Sequence, residues 1–287
     1  MRALVTGAGG FVGRHLVARL RGDGWDVVPL TRASVDLTDA AVAAATVRAA
    51  DPDVVFSLAA ARRKATPSER ADTVAVNTSP WLVDALPERC RAVVRLGSST
   101  EYAAAPVPLA EDAPLAPRGF FGATKAAGSL LLQAAAAERG VRAAVLRAFQ
   151  VYGPGDHPTR LVPTVLRAAV TGEVVPLPAR LSRRDWVWVG DVVDACVRAA
   201  VADHLPSGIV LNLGTGVQTS TEDLVATARA VTGRPIATAP GAHPGRSWDT
   251  ADWVCDPSAA AARLGWTATV DLATGLSRTW AAERVHA

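Results

Sequence analysis

The chain opens on the strand-like segment Arg2 to Thr6, which runs into Gly7-Ala8-Gly9-Gly10-Phe11-Val12-Gly13 and then into a helical pattern. Three glycines at G-x-x-G-x-x-G spacing (Gly7, Gly10 and Gly13) remove side chains where a tight turn meets a helix N-terminus. A pyrophosphate can then lie against backbone N–H groups and the positive end of the helix. The first chemistry this sequence offers is therefore dinucleotide binding. The spacing differs from the usual G-x-G-x-x-G, and it is the strand, loop and helix context that gives it weight. About 20 residues beyond the glycines, an NAD-selective site commonly carries an acid for the ribose hydroxyls. This chain has Thr31-Arg32 there. A guanidinium pairs with the 2′-phosphate of NADP, so NADP(H) is favoured and NAD(H) is the alternative. Asp36-Leu37 follows, where the carboxylate is placed to accept from an adenine amino group.

The elements that must position this loop are legible as β-branched runs alternating with alanine-rich helical stretches. That pattern predicts a doubly wound α/β fold of Rossmann type, a parallel sheet covered on both faces. Strands are expected at Arg2 to Thr6, Asp26 to Leu30, Asp53 to Leu58, Ala92 to Gly97, Arg142 to Arg147, Trp186 to Val189 and Ile209 to Leu213. Helices are expected at Phe11 to Arg21, Thr124 to Arg139 and Asp191 to Ala202. The proline-rich segment Ala103 to Pro117 reads as a loop. After about residue 150 the alternation weakens, which divides the chain into a dinucleotide-binding unit, 1–150, and a smaller, mainly substrate-binding C-terminal lobe, 151–287. Later strands are expected to return to the sheet.

With 287 residues, 49% of them hydrophobic and 20% charged, the chain can bury a large core. Its 30 basic and 27 acidic residues are mixed along the sequence. That distribution gives no reason to invoke nucleic acid or a membrane surface. Cys90, Cys196 and Cys255 stand far apart in no metal-ligand spacing, so no metal site is expected, and a reduced, cytoplasmic protein is the simplest reading.

Beyond the glycine loop, an ordered set of short motifs gives the chain its likeness. They are Asp36-Leu37-Thr38-Asp39, Leu58-Ala59-Ala60, Asn77, Gly97-Ser98-Ser99-Thr100-Glu101-Tyr102, Gly122-Ala123-Thr124-Lys125, Leu146-Arg147, Tyr152-Gly153-Pro154-Gly155, Arg184-Asp185-Trp186-Val187-Trp188-Val189, Asn212-Leu213-Gly214-Thr215-Gly216 and Leu264-Gly265-Trp266. In this order the chain resembles the extended short-chain dehydrogenase/reductases, the family of nucleotide-sugar epimerases, dehydratases and ketoreductases, over nearly its whole length. The resemblance implies that Leu58, Ala59, Ala60 and Asn77 line the cofactor. It also implies that a serine after the fourth strand works with a Tyr-x-x-x-Lys pair on the next helix. Ser98 is the expected hydroxyl, with Ser99 as the alternative. Lys125 would hold the nicotinamide ribose and lower the tyrosine pKa. Lys64 and Lys125 are the only lysines among 30 basic residues, so a lysine retained at 125 is itself a signal.

Four residues before Lys125 the chain has Phe121, which stacks where a phenol would but cannot exchange a proton. Three explanations stand side by side. The phenylalanine is a change introduced to trap a complex, or another donor such as Glu101, Tyr102 or His157 serves, or the chain is a non-catalytic dinucleotide-binding sensor. In the second half the resemblance places Gln150, Arg184 and Arg246 against a sugar diphosphate, while Trp186 and Trp188 are read as core. Ser99 and Thr100 stand where dehydratases carry Asp-Glu, which argues against a dehydratase. If the count starts from Ser99, however, Glu101 remains available. The implied function is NAD(P)-dependent reduction of the C4 ketone of a nucleoside-diphosphate 4-keto-6-deoxy sugar, with a 4-epimerase as runner-up. A homodimer through the helices flanking Phe121 and the segment Thr73 to Leu86 is also implied.

Overall fold

A computed structural model describes residues 1–62, 64–105, 108–179, 182–243 and 252–284. The first half alternates β1 (Arg2–Thr6), α1 (Phe11–Gly22), β2 (Asp26–Leu30), α2 (Ala40–Ala50), β3 (Val54–Ser57), α3 (Pro67–Thr78), β4 (Ala92–Ser98), α4 (Phe120–Arg139) and β5 (Arg142–Ala148). It continues with β6 (Gln150–Tyr152), α5 (Leu161–Thr171), β7 (Val175–Pro178), β8 (Arg183–Trp188), α6 (Val189–Val201) and β9 (Ile209–Leu213). The remaining elements are β10 (Gln218–Ser220), α7 (Thr221–Thr232), β11 (Thr238–His243), α8 (Ser258–Leu264) and α9 (Leu272–Arg284).

The main sheet has the order β2-β1-β3-β4-β5-β9, and all its pairings are parallel. Strand periodicity sends successive side chains to opposite faces, and the core divides accordingly. Ala3, Val5, Phe56, Val94 and Leu146 pack with Leu16 and Leu20 of α1 and Val192 and Ala199 of α6. Their neighbours Leu4, Val55, Val93 and Val145 pack with Ala43 and Val47 of α2 and Leu132 and Ala136 of α4. Burial on both faces explains why these strands read as nearly continuous apolar runs. The connection reverses direction between β1 and β3, so the crevice beyond their carboxyl ends is the place where such sheets bind ligands.

The last strand of the main sheet, β9, comes from the second half, while β6, β8 and β10 form a small separate sheet and β7 pairs with β11. The strand expected at Trp186 to Val189 begins three residues earlier, at Arg183, and Val189 already belongs to α6. Its polar start is held by antiparallel pairing with β10, a backbone contact that composition does not reveal. Trp186 and Trp188 are buried, as the core reading has it, and both stack edge-on against Tyr152 at 6.2 and 5.7 Å between centroids. The helix expected from Thr124 starts at Phe120, because its N-cap is Gly119, which has no side chain to signal the boundary. All three cysteines are free and buried, and the described residues contain no cluster fit to hold a metal ion. No described helix is long and apolar enough to cross a membrane.

Candidate active site

The glycine loop is shaped by contacts that exclude a Cβ. Gly7 has φ of 69°, and a methyl there would stand 2.7 Å from the Ala59 nitrogen at the end of β3. A methyl on Gly13 would overlap the Gly7 carbonyl oxygen, which also accepts from Gly10 N at 2.9 Å. The turn is thus folded back on itself and pressed against Leu58-Ala59, while Ala59 N donates to Thr6 Oγ1 at 3.2 Å. Gly10 caps α1 without a side-chain acceptor, leaving the amides of the first turn for an anion. Phe11 and Val12 are half-buried at that turn. This cradle fits a dinucleotide pyrophosphate. Arg32 is exposed two residues beyond β2. Asp36 is also exposed, and its Oδ1 accepts from Thr38 N at 2.9 Å and Thr38 Oγ1 at 2.7 Å, which lowers its pKa, with a smaller push from Arg32. One carboxylate oxygen therefore anchors the turn into α2. Leu37 is half-buried, Leu58 buried and Ala60 exposed.

Asn77 is buried on α3 and joins three segments. Its Oδ1 accepts from Ala61 N at 2.8 Å, and its Nδ2 donates to Ala61 O at 2.9 Å and to Thr124 Oγ1 on α4 at 2.8 Å. The amide fixes the loop after β3 to the helix that carries Phe121 and Lys125.

Ser98 ends β4 and caps a single 3-10 turn, Ser99–Glu101. Its Oγ lies 2.8 Å from Thr100 Oγ1 and accepts from Thr100 N at 3.2 Å. Ser99 is buried, whereas Ser98 is half-buried and Thr100 exposed. Of the two serines, Ser98 is the less buried. Gly122 lies so close to the Thr100 carbonyl that a methyl would collide with it, so α4 is pressed against this turn. Lys125 is 3% exposed, and its Nζ donates to Leu96 O. Burial drives its pKa down to about 7, helped by the nearby charges of Arg95 and Arg62 and opposed by Glu101. Phe121, half-buried, has the Arg62 guanidinium over its ring at 4.2 Å from the centroid.

Two of the three alternative donors named from sequence are committed elsewhere. Glu101 is fully buried; its Oε1 accepts from Ser98 N at 2.8 Å and its Oε2 pairs with Arg147 Nε at 2.9 Å. The fully buried ion pair commits the carboxylate that the count from Ser99 had left available. Tyr102 donates to Asn212 Oδ1 at 2.7 Å beneath the Arg147 guanidinium, and burial pushes its phenol up to about 12. His157 is exposed with Nδ1 at 2.9 Å from Thr159 Oγ1. The other tyrosine, Tyr152, is buried and donates to Asp271 O at 3.3 Å.

In the second half, Gln150 opens β6 and Arg184 lies on β8, adjacent strands of one small sheet with Gln150 opposite Trp186. Both are half-buried, and Arg184 donates to Arg183 O at 2.8 Å. Arg246 lies outside the described residues. Sequence reasoning missed three features. One is Arg62 on Phe121. Another is Arg95, a guanidinium buried beneath α4 that donates to Asn77 O and whose pKa burial lowers to about 10. The third is Asp185, whose carboxylate accepts from Thr215 N, Thr215 Oγ1, Gly216 N and Cys255 N. Only Asp185 had a local signal, its place beside Arg184 in an ordered motif.

A doubly wound sheet with a glycine-built phosphate cradle, a serine ending β4 and a lysine of α4 whose amine is held on β4 defines a dinucleotide-dependent oxidoreductase architecture. The model of the NAD-dependent epimerase/dehydratase family matches residues 3–214, and the chain belongs to that family of nucleotide-sugar enzymes. A UDP-glucose 4-epimerase of Mycolicibacterium smegmatis is 32% identical over 97% of both chains. A dTDP-4-dehydrorhamnose reductase of Streptomyces griseus is 33% identical over 75% of this chain and 71% of its own. Among solved structures, a UDP-glucose 4-epimerase of Thermotoga maritima with UDP-glucose superposes with a TM-score of 0.87 at 26% identity, covering 100% of this chain and 99% of that one. A UDP-glucose 4-epimerase of Stenotrophomonas maltophila, with bound NAD and formylated UDP-arabinopyranose, gives 0.87 at 26%, covering 100% and 98%.

Proposed function

We propose that this chain is an NAD(P)-dependent 4-ketoreductase of a nucleoside-diphosphate 4-keto-6-deoxy sugar. The observation that carries the reading is Phe121 with Glu101 and Tyr102 locked in buried contacts. A 4-epimerase must take a proton from the C4 hydroxyl and then return one to the 4-keto intermediate, whereas a reductase only delivers one. The missing phenol at 121 therefore burdens the epimerase in two proton transfers and the reductase in one. Reduction needs no base, only stabilisation of charge on the carbonyl oxygen and delivery of a proton. When bound, the nicotinamide supplies the hydride. Ser98 hydrogen-bonds the carbonyl oxygen, Lys125 holds the ribose, the glycine loop carries the pyrophosphate, and Gln150, Arg184 and Arg246 hold the sugar diphosphate from the C-terminal lobe. The test is nicotinamide absorbance across UDP-, dTDP-, GDP- and CDP-sugars. Stoichiometric loss of reduced cofactor with a 4-keto sugar supports the reductase. Interconversion of 4-hydroxy sugars without net cofactor consumption supports the epimerase, which the full-length likeness to UDP-glucose 4-epimerases favours. Binding of the dinucleotide without any nucleotide sugar supports a sensor.

NADP(H) is the proposed cofactor, on the charge of Arg32 and the absence of an acid at Thr31-Arg32. Arg32→Ala is expected to weaken NADP(H) binding about tenfold or more while leaving NAD(H) nearly unchanged, as calorimetry reads directly. Equal losses for both cofactors would remove the 2′-phosphate assignment.

The second copy of a homodimer is proposed to cover α3 and α4, where Val74, Leu130 and Leu131 stand 41%, 53% and 45% exposed. Light scattering is expected to give a dimer mass for the native chain and a monomer mass for Leu131→Glu. A cytoplasmic location is proposed with it, consistent with three buried free thiols.

A further inference from the structure

Arg62 is placed by the fold rather than by chance at the surface. The residue before it, Ala61, is held through both its N–H and its carbonyl by Asn77, and the same Asn77 amide reaches Thr124 on α4. The backbone that launches Arg62 is thereby fixed to the helix presenting Phe121 and Lys125. From there the guanidinium lies over the Phe121 ring, 4.2 Å from its centroid, with its charge in reach of both Lys125 and Asp156. An aromatic face attracts a cation through its quadrupole, most strongly when water is displaced, and phenylalanine provides that face without a competing hydroxyl.

We propose that the Arg62 guanidinium takes the place of the absent phenol, donating N–H hydrogen bonds to the C4 oxygen of the sugar and stabilising the negative charge that develops there. This rests on the ketoreductase reading above. As hydride is delivered, a C–H bond forms at C4 of the sugar and the carbonyl π pair moves onto oxygen. The resulting alkoxide sits between the Arg62 fork and Ser98 Oγ. A guanidinium stays charged throughout and gives up no proton. The proton therefore comes from Ser98 Oγ–H, which is replenished by Thr100 Oγ1–H at 2.8 Å, and Thr100 is exposed to water. The net change is one ketone reduced to a hydroxyl, one reduced cofactor oxidised, and one proton taken from solvent.

The test crosses Arg62→Met and Arg62→Lys with Phe121→Tyr. The first readout needs neither cofactor nor turnover. Calorimetry on the protein without dinucleotide compares a nucleoside-diphosphate sugar bearing the C4 oxygen with its 4-deoxy analogue, and uses the free nucleoside diphosphate as the control for folding. The native chain should prefer the oxygen-bearing sugar by about tenfold or more. Arg62→Met should erase that preference without changing diphosphate affinity, and Arg62→Lys should retain part of it. In turnover, Arg62→Met should lower kcat by about 10²–10³. Phe121→Tyr should restore activity in the Arg62→Met background. Three results overturn the proposal. Arg62→Met keeps the preference and kcat, Arg62→Met loses diphosphate affinity in step with them, or Phe121→Tyr converts an inactive native chain into an active one. If no nucleotide sugar or diphosphate binds any form, the ketoreductase reading itself has failed, an outcome distinct from these three.

Discussion

Replacing Gly13 with alanine is expected to abolish useful dinucleotide binding, raising the dissociation constant by about 10²-fold or more. The added methyl overlaps the Gly7 carbonyl, a backbone atom that cannot rotate away. Overpacking of this kind costs roughly 1–3 kcal/mol even where the core can adjust. Here adjustment means opening the turn that Gly10 N closes on Gly7 O. The amides of the first turn of α1 then no longer converge on one pyrophosphate. Calorimetry with NADP(H) and NAD(H) measures the loss. Gly22→Ala at the other end of α1 is the control, since a methyl there meets nothing within 4 Å. If Gly13→Ala binds as tightly as Gly22→Ala, the loop is not the phosphate cradle.

Arg147→Met is expected to destabilise the fold by about 3–5 kcal/mol, because it leaves a fully buried carboxylate without its partner. Arg147 pairs with Glu101 at 2.9 Å, covers the Tyr102 ring at 4.6 Å and donates to Glu111 O at 3.3 Å, so one side chain ties the turn after β4 to β5 and to the loop before α4. Glu101 in turn holds the Ser98 amide, so the serine is expected to lose its position along with stability. Urea unfolding gives the energy. Arg19→Met breaks the surface ion pairs with Asp23 and Asp194 and should cost no more than about 1 kcal/mol. Replacing Glu101 and Arg147 together with apolar residues should recover much of the loss, because the cost lies in the unpaired charge. Equal effects at Arg147 and Arg19 would show that the buried pair does not hold this part of the site.

The features legible in the sequence are those whose cause is local. The strand, glycine loop and helix from Arg2 to Gly22 follow from β-branched residues, missing Cβ atoms and helical periodicity within one short stretch. Ser98 caps the 3-10 turn that directly follows it, a local arrangement, whereas the Lys125 amine is held by Leu96 O, 29 residues away. What escaped depends on chain segments far apart. Glu101 and Arg147 are 46 residues apart and look like surface charges until β4 and β5 pair. Arg62 reads as one arginine among many until Asn77 anchors Ala61 to α4. Glu101 and Tyr102 looked available as proton donors because sequence shows residue type but not burial, and burial with committed partners is what removes them.

A chain with phenylalanine at position 121 is expected still to move hydride between a nicotinamide and C4 of a nucleotide sugar. Mass spectrometry of the sugar after incubation with cofactor carrying deuterium at the transferable position of the nicotinamide tests it most directly. One deuterium at C4 of the product is expected for the unmodified chain, with an equal amount of cofactor oxidised. A sugar recovered without deuterium, from protein shown by calorimetry to bind both the cofactor and the sugar nucleotide, would contradict it.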